Sequence, residues 1–160
     1  MKHFRAIFRE LGFDVEKSTL PEGGLVYALA RTYNLVMQQL APMYRRFGLS
    51  AAGFNLLVLL KRGAEPETFT QCELSRRLVV SPSDMTGLVD RMEHKDLVRR
   101  MPGNDRRSKL LRITDKGSAL VEEVWPHHAE VIKQMTGKLS SAEGEALMRA
   151  LSLIREAVGV

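Results

Sequence analysis

Six basic side chains fall within the sixteen residues from Leu97 to Arg112: Arg99, Arg100, Arg106, Arg107, Lys109 and Arg112. One acid, Asp105, accompanies them, so the stretch carries +5, equal to the net charge of the whole 160-residue chain. Positive charge gathered in one place in an otherwise balanced chain suits a polyanion, because each cation that meets a phosphate releases a condensed counterion. A solvated basic face would have the same composition, so charge alone leaves both readings open. Pro102-Gly103-Asn104-Asp105 is turn chemistry between two short strand-like runs, Leu97–Met101 and Lys109–Ile113. Together they predict a two-stranded ribbon with Arg106 and Arg107 at its tip. A loop that thin can carry an arginine into a minor groove, where negative potential is focused. Asp105, two residues before Arg107, is placed to brace that guanidinium.

A ribbon of this kind needs a platform, and the preceding residues supply one. Thr70-Gln71-Cys72-Glu73 reads as a capping box, and Ser81-Pro82-Ser83-Asp84 repeats the device with proline at the first helical position. Two short helices joined through Val79-Val80 make a helix-turn-helix. The second, 82–95, turns Met85, Leu88, Val89 and Met92 inward and Ser83, Thr86, Gly87 and Arg91 outward. A major groove admits one such helix, with Arg91 and Lys95 able to reach a base edge or a phosphate. Asp84 serves as the capping acid and Asp90 belongs in an ion pair. The helix N-termini at Thr70 and Ser81 offer backbone N–H groups to phosphates. The candidate DNA contacts are Thr70, Gln71, Ser81, Ser83, Thr86, Arg91, Lys95, Asp105, Arg106 and Arg107.

The rest of the chain is helical in pattern. Residues 1–20 form an arm or short helix, with Phe4, Ile7, Phe8 and Leu11 on one face. A long pattern from Val26 to Phe47 crosses Pro42 and closes at Gly48. Phe54 to Leu60 is apolar nearly all round, so that helix lies centrally. After the ribbon, Thr114 caps a long helix through Met135, interrupted in pattern by Pro126, and Ser140-Ser141-Ala142-Glu143 caps the last one. Distortion is expected at Pro42 and Pro126, where the helical hydrogen bond is lost. The expected fold is mainly α (α+β): a winged helix-turn-helix lobe with a two-stranded wing over 49–113, flanked by dimerisation helices over 21–48 and 114–160. The flanking apolar stripes exceed what a 60-residue lobe can cover, which predicts a two-fold homodimer. Two recognition helices about 34 Å apart would read half-sites one DNA turn apart, a near-palindromic operator.

Other classes find little support. A single cysteine precludes an intramolecular disulfide framework and a cysteine-based zinc site. His127 and His128 are adjacent, so on a helix they point apart and cannot share a metal as an i, i+4 pair would. No metal, cofactor or enzyme is expected, since no nucleophile elbow, phosphate loop or paired acids occur. No apolar run reaches the roughly 20 residues of a membrane span, and the charged first twenty residues lack a secretory core. These features predict a cytoplasmic protein without a membrane partner. Two other readings remain: redox sensing through Cys72, at the start of the Thr70 helix, and a winged-helix module that binds DNA nonspecifically or binds protein.

Five segments in order carry a family resemblance. They are Leu74-Ser75-Arg76-Arg77-Leu78, Leu88-Val89-Asp90-Arg91-Met92-Glu93, Lys95-Asp96-Leu97-Val98-Arg99-Arg100, Asp105-Arg106-Arg107-Ser108, and Leu111-Arg112-Ile113-Thr114-Asp115-Lys116-Gly117. From about Leu49 to Gly117 the chain resembles the MarR family of transcription regulators. The resemblance implies a homodimeric repressor or activator whose wing arginine, here Arg107, enters the minor groove with Asp105 holding it. It also implies release of DNA by a small phenolic or lipophilic effector. Tyr33, Met37, Phe54 and Trp125 are the candidate effector-pocket residues, with plain core packing as the alternative for each.

Overall fold

A computed structural model describes residues 2–10, 12, 21–63, 69–78, 80–103 and 109–159. The chain falls into two compact units, residues 1–51 and 52–160. The first holds α1 (Lys2–Glu10) and α2 (Pro21–Arg46). The second holds α3 (Ala51–Arg62, its first residue at the boundary), β1 (Phe69–Thr70), α4 (Gln71–Leu78), α5 (Pro82–His94), β2 (Val98–Pro102), β3 (Lys109–Ile113), α6 (Asp115–Thr136) and α7 (Ser141–Ala157).

In the first unit, α2 runs unbroken through Pro42. It ends where Gly48, at φ +67°, takes the left-handed conformation that a side chain would resist. The Gly48 N–H donates to the Arg45 carbonyl and the Leu49 N–H to the Tyr44 carbonyl, which satisfies two carbonyls that helix geometry leaves orphaned. Burial pushes the Tyr44 phenol up to about 12.

The core of the second unit is aliphatic. Phe54, Leu56, Leu57 and Leu60 of α3 are at most 2% exposed, and Leu74, Met85, Leu88, Val89, Val98, Leu111, Val121 and Val124 join them. Each such side chain contributes about 1.5–3 kcal/mol over its exposed state. Helix α5 ends on Asp96, a non-glycine residue at φ 58°. The Asp96 N–H donates to the Glu93 carbonyl and the Leu97 N–H to the Met92 carbonyl, turning the chain sharply into β2.

The sheet has three antiparallel strands in the order β1-β3-β2. The sequence predicts the β2–β3 hairpin alone; β1 adds Phe69 opposite Leu111 and Thr70 opposite Leu110. A two-residue strand is too short to show a period, and its identity comes from pairing. Helix α6 also continues through Pro126. Neither proline ends its helix, since losing one backbone bond is outweighed when the helix is otherwise held.

A candidate nucleic-acid interface

Helix α5 owes its direction to both ends. Ser81 caps it, its Oγ accepting from the Asp84 N–H at 3.2 Å and donating to the Asp84 carboxylate at 2.6 Å, with Pro82 at the first position. Met85, Leu88, Val89 and Met92 are at most 3% exposed. The opposite side leaves Ser83, Thr86, Asp90 and Arg91 exposed. One face is therefore anchored in the core and the other is presented outward, as the 3.6-residue period requires. The Thr86 hydroxyl donates back to the Pro82 carbonyl at 3.0 Å. A Cβ on Gly87 would lie 3.3 Å from an Arg91 guanidinium nitrogen, so this glycine leaves room for the arginine over the helix surface.

The capping box at Thr70 forms as expected. The Thr70 N–H and hydroxyl donate to the Glu73 carboxylate at 2.7 and 2.8 Å, and the Glu73 N–H donates back at 3.2 Å. These bonds, the backbone one first, hold the Glu73 carboxyl below its usual range. Stability from this cap is therefore present above the ordinary carboxylate pKa and fades as pH falls through the lowered one. An open cleft of about 420 Å³ between α4 and α5 is lined by Gln71, Cys72, Arg76 and Thr86 among others. Among the candidates, Gln71 and Thr86 thus meet at one surface, while the Thr70 and Ser81 hydroxyls are engaged in their caps.

Asp90 pairs as expected, and its partner is a residue counted above with the basic stretch. The Arg100 guanidinium donates to Asp90 at 2.6 Å and also to Glu93, while the Arg100 N–H donates to Glu93 at 3.0 Å. Burial disfavours the Arg100 charge, but these two acids outweigh it and raise its pKa. Arg100 is thus a clasp between α5 and β2, so one of the six cations acts inside the lobe. Sequence order hides this, because the partners are seven and ten residues away on another element. Arg100→Ala is expected to lower the unfolding free energy by about 1 kcal/mol, as befits partly exposed pairs. Urea unfolding with an unchanged slope would check it.

Lys95 is exposed at the end of α5, and its carbonyl accepts from the Lys116 ammonium at 2.8 Å. Asp105, Arg106 and Arg107 lie outside the described residues. The strands that flank them pair as far as Pro102 opposite Lys109.

Among the effector candidates, Phe54 and Trp125 come together with ring centroids 6.4 Å apart, and His128 joins them 5.1 Å from Phe54. The Arg62 guanidinium sits 3.9 Å over the Trp125 ring. Burial lowers the His128 pKa, favouring the neutral ring. Phe54 is 1% exposed, so it is a core residue whatever else it lines. Tyr33 and Met37 lie on α2 in the first unit, Tyr33 exposed and Met37 half-buried. Cys72 is exposed. Among the described residues no His, Cys, Asp or Glu cluster could hold a metal, and no helix is long and apolar enough to cross a membrane.

Comparison with known proteins agrees with this geometry. A sequence model of the MarR family matches residues 49–109. The HTH-type transcriptional regulator PecS of Dickeya dadantii is 29% identical over 133 residues, covering 82% of this chain and 80% of that protein. The structure of AbsC, a MarR family transcriptional regulator from Streptomyces coelicolor, superposes with a TM-score of 0.80 at 26% identity, covering 88% of this chain and 96% of that one. Sco3205 from the same organism, a MarR family regulator solved in complex with DNA, shares the fold with a TM-score of 0.81 at 21% identity, over 90% of this chain and 92% of its own.

Proposed function

We propose, from the match of the MarR family model to residues 49–109, that the protein is a MarR-type transcriptional regulator that binds a near-palindromic operator as a homodimer. The observation that carries this reading is α5: four apolar side chains fully seated in the core and an outward face of Ser83, Thr86 and Arg91 over a glycine. A helix so mounted fits a major groove, with Arg91 suited to the O6 and N7 acceptors of guanine. Arg107 beyond the β2–β3 hairpin reaches the adjacent minor groove, braced by Asp105, with Arg106 beside it. Gln71, Ser83 and Lys95 contact the backbone, and Thr70 and Ser81 contribute through the helix starts that they cap.

Apolar surface exposed in a single chain supports the dimer reading. On α2, Leu25, Val26, Tyr27, Leu29 and Tyr33 are exposed, and on α7 so are Leu147, Met148, Leu153 and Ile154. Burying these against a second copy removes them from water. We assign the protein the role of a repressor released by a small lipophilic or phenolic effector, supported by the Phe54–Trp125–His128 aromatic cluster beside the lobe's core.

Operator binding measured against salt tests the reading. The log–log slope of affinity is expected at about −5 or steeper for a dimer with wing and helix contacts on each half-site. Light scattering in the same buffer should give about 36 kDa, twice the 18.0 kDa chain. A slope near zero would point to a protein partner, and a stable monomer would overturn the assignment of the flanking helices.

A further inference from the structure

The helix assigned to the groove is acidic by itself. Helix α5 holds Asp84, Asp90 and Glu93 against Arg91, which leaves −2 with His94 neutral. Asp84 sits in the first turn, within its cap, where the helix dipole favours a negative charge. The other two acids lie further along. Asp90 falls on one row with Ser83, Gly87 and His94, three or four residues apart, and that row lies opposite the buried Met85 and Met92. The Asp90 side chain is 59% exposed and that of Glu93 37%. A phosphate brought close to either meets a like charge, and salt screens such close pairs only in part.

Arg100 answers both acids. Its guanidinium donates to Asp90 at 2.6 Å and to one oxygen of Glu93, and its backbone N–H donates to the other Glu93 oxygen at 3.0 Å. One planar fork thus spans two carboxylates three residues apart, a geometry that suits a guanidinium and not an ammonium. The local charge falls from −2 to −1 and both carboxylates are tied to β2. Arg91 stands on the other flank of the row, its guanidinium over Gly87. Among the described residues no carboxylate pairs with Arg91.

We propose that Arg100 is a positioning residue for DNA binding: it holds the Asp90 and Glu93 carboxylates against β2, away from phosphates, and so leaves Arg91 as the charge that α5 presents. Arg100 touches no nucleic acid in this role and acts through the two acids alone. The role rests on the regulator reading, which the parent protein's own binding tests separately.

The probe is a fluorescent duplex recovered from a random-sequence pool on the full-length protein, titrated by anisotropy with circular dichroism as the folding control. Arg100→Gln is expected to weaken binding about tenfold in low salt, because each half of a dimer gains one uncompensated charge near a phosphate. The deficit should shrink as salt rises, which a loss of fold would not do. Adding Asp90→Asn and Glu93→Gln to Arg100→Gln should return affinity to the parent level or above it, although the clasp is still absent. In the parent background those two substitutions free the Arg100 guanidinium and should hold or tighten binding, and this arm carries the test if Arg100→Gln does not fold. A parent that recovers no duplex overturns the regulator reading and this role with it. Where the parent binds, three results would each overturn the role of Arg100 alone. They are unchanged affinity for Arg100→Gln, a deficit that the two neutral substitutions leave in place, and weaker binding by the Asp90→Asn, Glu93→Gln pair, which would make the carboxylates contacts themselves.

Discussion

Arg107→Ala is expected to weaken operator binding by about 1–3 kcal/mol and to leave folding unchanged. The hairpin strands pair as far as Pro102 and Lys109, so residues 103–108 link their far ends. That link holds Asp105, Arg106 and Arg107 and no apolar side chain, hence nothing whose loss would open a cavity. An arginine in a minor groove replaces counterions and meets focused potential, so its removal should also make the salt slope shallower by about one per wing. On the proposal that Asp105 braces Arg107, Asp105→Ala should produce a smaller loss of the same kind, since the guanidinium remains. Fluorescence anisotropy on an operator duplex, with circular dichroism as the folding control, measures both. Unchanged affinity for Arg107→Ala would remove the wing from the interface and leave α5 as the whole of it.

Gly117→Val should destabilise the fold by about 3 kcal/mol, at the upper end of what overpacking costs. A Cβ at Gly117 would fall inside contact distance of the Leu97 carbonyl oxygen and 2.9 Å from Ile113 Cγ1. The obstruction is backbone rather than the end of a flexible side chain, so little can move aside. The Leu97 carbonyl already accepts the Thr114 N–H at 3.1 Å, and the Gly117 N–H donates to the Thr114 hydroxyl at 3.0 Å. Valine would therefore push the start of α6 off the turn into β2 and break the Thr114 cap. Thermal unfolding should show a midpoint lower by roughly 6–12 °C for a chain of this size. Gly144→Ala is the control. Nothing lies within 4 Å of its Cβ position on α7, so alanine should be neutral or raise stability by about 0.5–1 kcal/mol. A Gly117→Val chain as stable as the parent would show that α6 does not close on Leu97.

Local chemistry was legible in the amino-acid order. The capping pairs Thr70–Glu73, Ser81–Asp84 and Ser140–Glu143 all form as their spacing predicts. So does the inward set of α5, because cap geometry and the 3.6-residue period are properties of four to twelve neighbouring residues. Asp90 was recognisable as one half of an ion pair because an acid on a face meant for phosphate needs a cation. Its partner was not, since Arg100 reaches it only after Asp96 adopts a left-handed backbone and turns the chain.

What the order of residues determined by itself is the module: two capped helices, a hairpin with an arginine link, and enough apolar periodicity to seat them, all set by interactions within a few turns of chain. What the tertiary structure alone decided is which cations face outward together. It took Arg100 into a clasp, paired Arg99 with Arg112 beside Lys61, and added Phe69 and Thr70 as a third strand. The physical reason is that charge acts through distance in space. Strand register and the folding of α3 and α6 against the sheet bring together groups that lie tens of residues apart in the chain, and no local period encodes those separations.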